Sequence, residues 1–192
     1  IQFLFFSLTE SLKAQTIIDL ESGMVFTGYN DVRIPGDSGT LFSLKDALKS
    51  NTKIFYRVRA SYTIKSRHTL SLLYAPLETK SSGSVSNDIL FEGVVFPANT
   101  ELAGTYKFNS YRLTYRYDLV QKSGFEFGLG FTAKIRDAKI SLSSPNLYSE
   151  KTNVGFVPII NFRLLYKIDE KFGLLMDGYA LAAPQGRAED IL

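Results

Sequence analysis

The stretch SYRLTYRYDLV, Ser110 to Val120, alternates residue by residue. In extended backbone, neighbouring side chains point to opposite sides. Tyr111, Leu113, Tyr115, Tyr117 and Leu119 therefore share one face, and Arg112, Thr114, Arg116 and Asp118 share the other. One face calls for an apolar surround and the other for water or counter-charge. Alternation alone fits a soluble sheet with a core face or a barrel wall in a membrane, and does not say which face points inward.

The same period recurs along the chain, and nothing of comparable length carries a clean helical period. Seven candidate strands are countable: Ile17 to Val32, Lys53 to Lys65, a run from His68, a run from Tyr106 through the opening stretch, Phe125 to Ile140, Val154 to Ile168, and Phe172 to Ala183. The short links KSRH, VQKSG and IDEKFG read as hairpin turns. They alternate with long links: RIPGDSGTLFSLKDALKSN, the region from Ala75 to Thr105, and SLSSPNLYSEKTN. If consecutive strands run antiparallel, all tight turns lie at one end of the sheet and all long loops at the other. Several strands reach the roughly 9 to 11 residues that a tilted strand needs to cross a bilayer. Tyr115, Tyr117, Phe125, Phe127, Tyr166 and Phe172 flank the tight turns, where amphipathic rings suit a membrane boundary.

Composition narrows the classes. The 192 residues suffice for one all-β domain. The absence of cysteine excludes disulfides, thiolate metal ligands and cysteine nucleophiles. Lys and Arg are scattered singly and the net charge is only +3, so no nucleic-acid partner is expected. No segment approaches the roughly 20 apolar residues of a spanning helix, so any membrane crossing must use a closed barrel. The opening IQFLFFSLTESLKAQT resembles the end of a secretory signal peptide, expected over residues 1–14; its alternative is a short amphipathic helix.

On these features residues 15–192 resemble a small bacterial outer-membrane β-barrel of the OmpA/OmpX-like kind, a porin-type resemblance of pattern over nearly the whole chain. FTGYNDVRIPGDSGT and GTYKFNSYRLTYRYDL read like hairpin ends of such proteins. The resemblance implies an all-β, antiparallel up-and-down transmembrane β-barrel, with seven strands visible of an expected eight. The chain ends at PQGRAEDIL, which reads as part of a fourth long loop with the closing strand missing. The implied setting is the bacterial outer membrane, with membrane lipid as partner, a monomeric state and a structural or surface-interaction role. Neither cofactor nor metal nor catalytic residue is expected.

If the apolar stripe meets lipid, the other face fills an eight-stranded interior just wide enough for side chains. The expected charge network is Asp19, Glu21, Arg57, Arg59, Arg112, Arg116, Asp118, Glu126, Lys134, Arg136, Arg163, Lys167 and Asp177, a plugged, non-conducting lumen. Gly128 and Gly130 fall on that face and relieve crowding beside arginine. Two alternatives remain: a lipid-modifying outer-membrane enzyme, or a soluble lipocalin-like barrel whose stripe lines a ligand cavity.

Candidate chemistry is sparse. His68, the sole histidine, and Ser71 invite comparison with outer-membrane lipid A deacylases, but their odd spacing puts them on opposite faces. PGDSGT, Pro35 to Thr40, is assigned to turn chemistry. In the Ala75 to Thr105 region, DILFEGVVF is expected to extend the third strand, pair with TYKFN and expose an edge for an extracellular partner strand, or else to be a mobile loop.

Overall fold

The computed structural model describes residues 14–183 and 186–191. The expected signal segment, 1–14, lies outside them except for Ala14, which opens the first strand. Among the described residues there is no helix, and every strand pairing is antiparallel. The elements are β1 (Ala14–Val25), β2 (Asp31–Val32), β3 (Phe42–Ser43), β4 (Lys49–Ser50), β5 (Lys53–Ile64), β6 (His68–Ala75), β7 (Glu78–Ser84), β8 (Ile89–Phe91), β9 (Val94–Phe96), β10 (Glu101–Lys122), β11 (Phe125–Ser143), β12 (Tyr148–Lys167), β13 (Gly173–Ala183) and β14 (Gly186–Ile191).

The main wall runs β1-β5-β6-β10-β11-β12-β13-β14, each strand beside its predecessor in the list. Hairpin chemistry sets this meander. Between β5 and β6, Lys65 and Ser66 both hold positive φ, 50° and 61°, the backbone a type I′ turn requires, and Arg67 N–H closes it on Ile64 C=O. β6 and β7 both pair with β10, end to end along it. At their junction, Leu77 N–H donates to the Asn109 side-chain oxygen.

The wall is strongly curled. Arg59 on the second strand of the order contacts Asp177 on the seventh at 3.2 Å. In a flat sheet those strands would stand roughly 24 Å apart, five spacings of about 4.8 Å, beyond the reach of the two side chains. Curling gives the sheet a concave face, shielded by the opposite wall, and a convex face. Among the described residues β1 pairs only with β5, and β14 only with β13.

The driest part of the molecule lies at the long-loop end. Val32, Phe42, Leu44, Leu48, Ile89, Phe91 and Phe96 come from the loops and short strands, and pack with Leu102 of β10 and Leu142 of β11. Phe42 and Phe91 meet edge to face at 6.2 Å. Lys151 of β12 holds the β8–β9 turn through Glu92 at 2.6 Å. These residues form a cap on the concave face of the upper wall.

Four expectations are corrected. The first strand stops at Val25 rather than reaching Val32, because Thr27 to Asn30 turn away and Asn30 C=O instead accepts from Leu44 N–H in the cap. The strand pairing with TYKFN is ETKSSGS of β7, not DILFEGVVF, whose two halves fold on each other as β8 and β9 and bury Ile89, Phe91 and Phe96. The edge this region was to expose is partly occupied, since β4 pairs with β7 at Ser81 and Ser82. Finally, Gly186–Ile191 is no loop but a strand in register with Gly178 to Ala183.

Replacing Phe96 by Ala empties the centre of the cap and should lower unfolding stability by about 3–5 kcal/mol, read from urea unfolding.

Candidate functional site

The strand register carries each face across the wall in rows. On the convex side Ile18, Ala60, Leu72, Leu113, Ala133 and Pro158 stand abreast on six successive strands. The neighbouring convex row is Thr16, Tyr62, Leu70, Tyr115, Phe131 and Ile160. These side chains are substantially bare; Leu113 is 46 % exposed, Leu72 60 % and Phe131 51 %. They form a continuous apolar belt, far larger than the patches an ordinary monomer shows to water. Tyr166 and Phe172 lie exposed beside their turn, as the aromatic pattern anticipates.

Concave rows are polar. Ser61, Ser71, Thr114 and Thr132 stand abreast and hydrogen-bond in pairs, Ser61 with Ser71 at 2.8 Å and Thr114 with Thr132 at 2.7 Å. Thr63 and Thr69 repeat this at 2.9 Å. Beside them lie Arg112, 7 % exposed, and Arg116, 8 % exposed.

Asp177, 4 % exposed, is the hub. Its Oδ2 meets Arg59 at 3.2 Å and Arg116 at 3.7 Å, while its Oδ1 accepts from Asn161 Nδ2 at 3.0 Å. Arg116 also pairs with Asp118 at 3.1 Å and donates to Thr69 at 3.4 Å. Asp19 stands opposite Arg59 in register, and Glu21 pairs with Arg57 at 3.3 Å. Arg112 donates to Ser110 at 3.0 Å and lies over the Tyr179 ring at 4.6 Å. Lys134 lies over the Phe108 ring at 5.4 Å. The like-charged side chains are thus spaced by hydroxyls and rings.

Two of the expected charges stand apart. Arg136 donates to Asn153 at 2.8 Å above the belt, and Lys167 is exposed at the turn end. Both share the strand parity of the network, but they lie beyond the stretch where opposite walls converge. Arg163 and Glu126 lie near the network; the field at Arg163 includes Arg116, Asp177, Asp118 and Glu126. Asn161, Tyr179 and the Ser/Thr rows are members that a search for charge passes over. Their signal is parity alone: each shares a strand face with a named charge.

Glycine makes room for this packing. A Cβ at Gly130 would come within 2.4 Å of the Tyr115 carbonyl oxygen, and one at Gly128 within 2.4 Å of Asp118 Oδ1 and 2.9 Å of Arg116 Cδ. Arg116 and Asp118 lean across the second of these, so crowding sets both glycines.

The network borders a cavity of about 650 Å³ lined by β1, β5, β6, β10, β12 and β13. His68 sits on the convex side, its Nδ1 2.8 Å from the Tyr115 hydroxyl, whereas Ser71 faces the cavity. Among the described residues no cluster of three or more His, Cys, Asp and Glu could hold a metal ion. Neither a family model, nor a curated protein, nor a solved structure matches the chain.

Replacing Asp177 by Asn leaves Arg59 and Arg116 facing each other without their shared carboxylate. Removing one partner of so buried a set should cost about 3–5 kcal/mol. Chemical denaturation of the variant beside an Asp118→Asn control tests this; a smaller loss is expected for the control, since only Arg116 depends on Asp118.

Proposed function

We propose that the chain is an outer-membrane β-barrel protein, OmpA/OmpX-like in kind, with a structural or surface-interaction role and a charge-filled, non-conducting lumen. One observation carries this reading: the polarity of β10 inverts along its length while its buried face does not. From Leu102 to Arg116 the even-numbered residues face the concave side. Below Ser110 those residues are Arg112, Thr114 and Arg116, and the bare ones are Tyr111, Leu113 and Tyr115. Above it the order reverses, with Leu102, Tyr106 and Phe108 inward and Thr105, Lys107 and Asn109 outward.

β11 repeats the inversion at the same level. Leu129, Phe131 and Ile135 give way on the convex face to Asp137, Lys139 and Ser141, while Ile140 and Leu142 take the concave face. A strand in one solvent has no reason to exchange its faces. A strand that leaves hydrocarbon and enters water does.

The boundary is marked by charge. Immediately above Tyr111 and Ile135, Lys107 pairs with Asp137 at 2.8 Å, and Lys139 with Glu150 at 3.5 Å. The Tyr148 hydroxyl donates to Glu150 and, with Lys139 nearby, holds that carboxyl below its ordinary range. Such groups belong at headgroup level or beyond it.

In this reading β10, at 22 residues, is about twice the length needed to cross, and its upper half carries the cap into the external medium. The surface-interaction role falls to that cap, including the Ala75 to Thr105 segment, and a non-conducting lumen follows from the ion pairs below it. A soluble ligand-binding barrel requires the reverse facing, with the stripe lining a dry interior. The polar concave rows give that alternative no support. The enzymatic alternative has no facing His and Ser pair to rest on.

The chain has no tryptophan, so a single introduced one reports its own surroundings. In vesicles of lipid brominated deep in the acyl chain, Leu113→Trp fluorescence should be quenched and Val95→Trp fluorescence should not. Equal quenching, or none at Leu113→Trp, defeats the membrane reading. Leu113→Arg should cost about 2–4 kcal/mol in the same bilayer, if position 113 lies near its midplane.

A further inference from the structure

Among the described residues, ion pairing on the concave face passes Arg163 by. Arg163 of β12 lines the cavity, yet among the described residues it makes no ion pair and no hydrogen bond. Its register neighbours are Gly128, which offers no side chain, and Asp177, whose oxygens are committed to Arg59, Arg116 and Asn161. Its surroundings hold a second positive charge, Arg116, and the more distant carboxylates of Asp177, Asp118 and Glu126, none of which pairs with it directly. The Arg163 nitrogens reach the open space of the cavity, so the guanidinium fork is free to meet an incoming anion.

We infer that the cavity holds a binding site for a small oxyanion, a carboxylate or a phosphate, with Arg163 as its primary ligand. The fork of a guanidinium matches two oxygens of such a group, and Arg is the side chain suited to that geometry. Arg116, already paired with Asp118 and Asp177, adds positive charge beside it, and the Thr69 and Ser71 hydroxyls offer neutral donors; Asp19, Glu21 and Asp177 line the same cavity and confine the anion to the Arg163 side. The cavity, at about 650 Å³, exceeds a bare phosphate or acetate and leaves space for an acidic small molecule bearing that group. The site rests on the concave face alone, so its failure would leave the lipid-quenching result untouched.

The register sets Asp190 of β14 opposite Tyr179, so a protein carboxylate is the alternative to a bound anion. The test separates the two. The full-length protein in detergent is titrated calorimetrically with inorganic phosphate, and separately with acetate, alongside Arg163→Met and Asp190→Asn. Saturable binding near one equivalent is expected for at least one of the two anions, weakened about tenfold or more in Arg163→Met and little changed in Asp190→Asn. In anion-poor buffer, Arg163→Met should melt no lower than the parent protein, since it removes a charge that makes no direct ion pair. Absence of binding by both anions, or binding unaffected by Arg163→Met, overturns the proposal. So does a lowered melting temperature of Arg163→Met in anion-poor buffer, which would mean that Arg163 already has a protein partner.

Discussion

A β-strand can hide only one of its faces, and in this chain the hidden face stays the same while its chemistry changes. Along β10 the even-numbered side chains remain inward from Leu102 to Arg116, because an uninterrupted ladder to β11 over that stretch permits no change of phase. Everything distinctive about the molecule follows from placing apolar residues on opposite sides of that ladder above and below Ser110. Below, the concave face must satisfy charge; above, the same face must exclude water. One continuous sheet therefore carries a polar interior and a dry cap in series.

The polar interior works by sharing. Burying a charge without a partner is expensive, and a single carboxylate serving two guanidiniums reduces the number of acids needed. Asp177 does this for Arg59 and Arg116, with Asn161 fixing its orientation. Stacking of Arg112 on Tyr179 adds a contact that carries no further charge. Such a filling depends on the opposite wall being close, which is why it is confined to the curled part and leaves Arg136 and Lys167 outside.

The alternating stretches were legible as strands because period two is a local property. β5, β10 and β11 begin or end close to where their patterns do, and the tight turns fall where polar links interrupt them. The cap was not legible. Its residues come from two loops distant in sequence, and Leu44, Leu48, Phe91 and Phe96 show no periodicity on their own. DILFEGVVF has the composition of a wall strand, yet the serine-rich ETKSSGS took that position. On β7 the small Thr79, Ser81 and Gly83 take the inner side and leave room for the cap, where Leu48 lies against Gly83, and the apolar hairpin is worth more packed against Leu102 and Leu142.

By itself the sequence determined which residues share a face, since parity along an extended chain is set by backbone geometry. It also determined the all-β, antiparallel character, through alternation broken by short polar links. Only the tertiary structure decided which face is concave, because curvature depends on contacts such as Arg59 with Asp177, 118 residues apart. Only it decided that the long loops close into a core and that Arg163 makes no ion pair among the described residues. Those outcomes depend on distances between strands that no local pattern encodes.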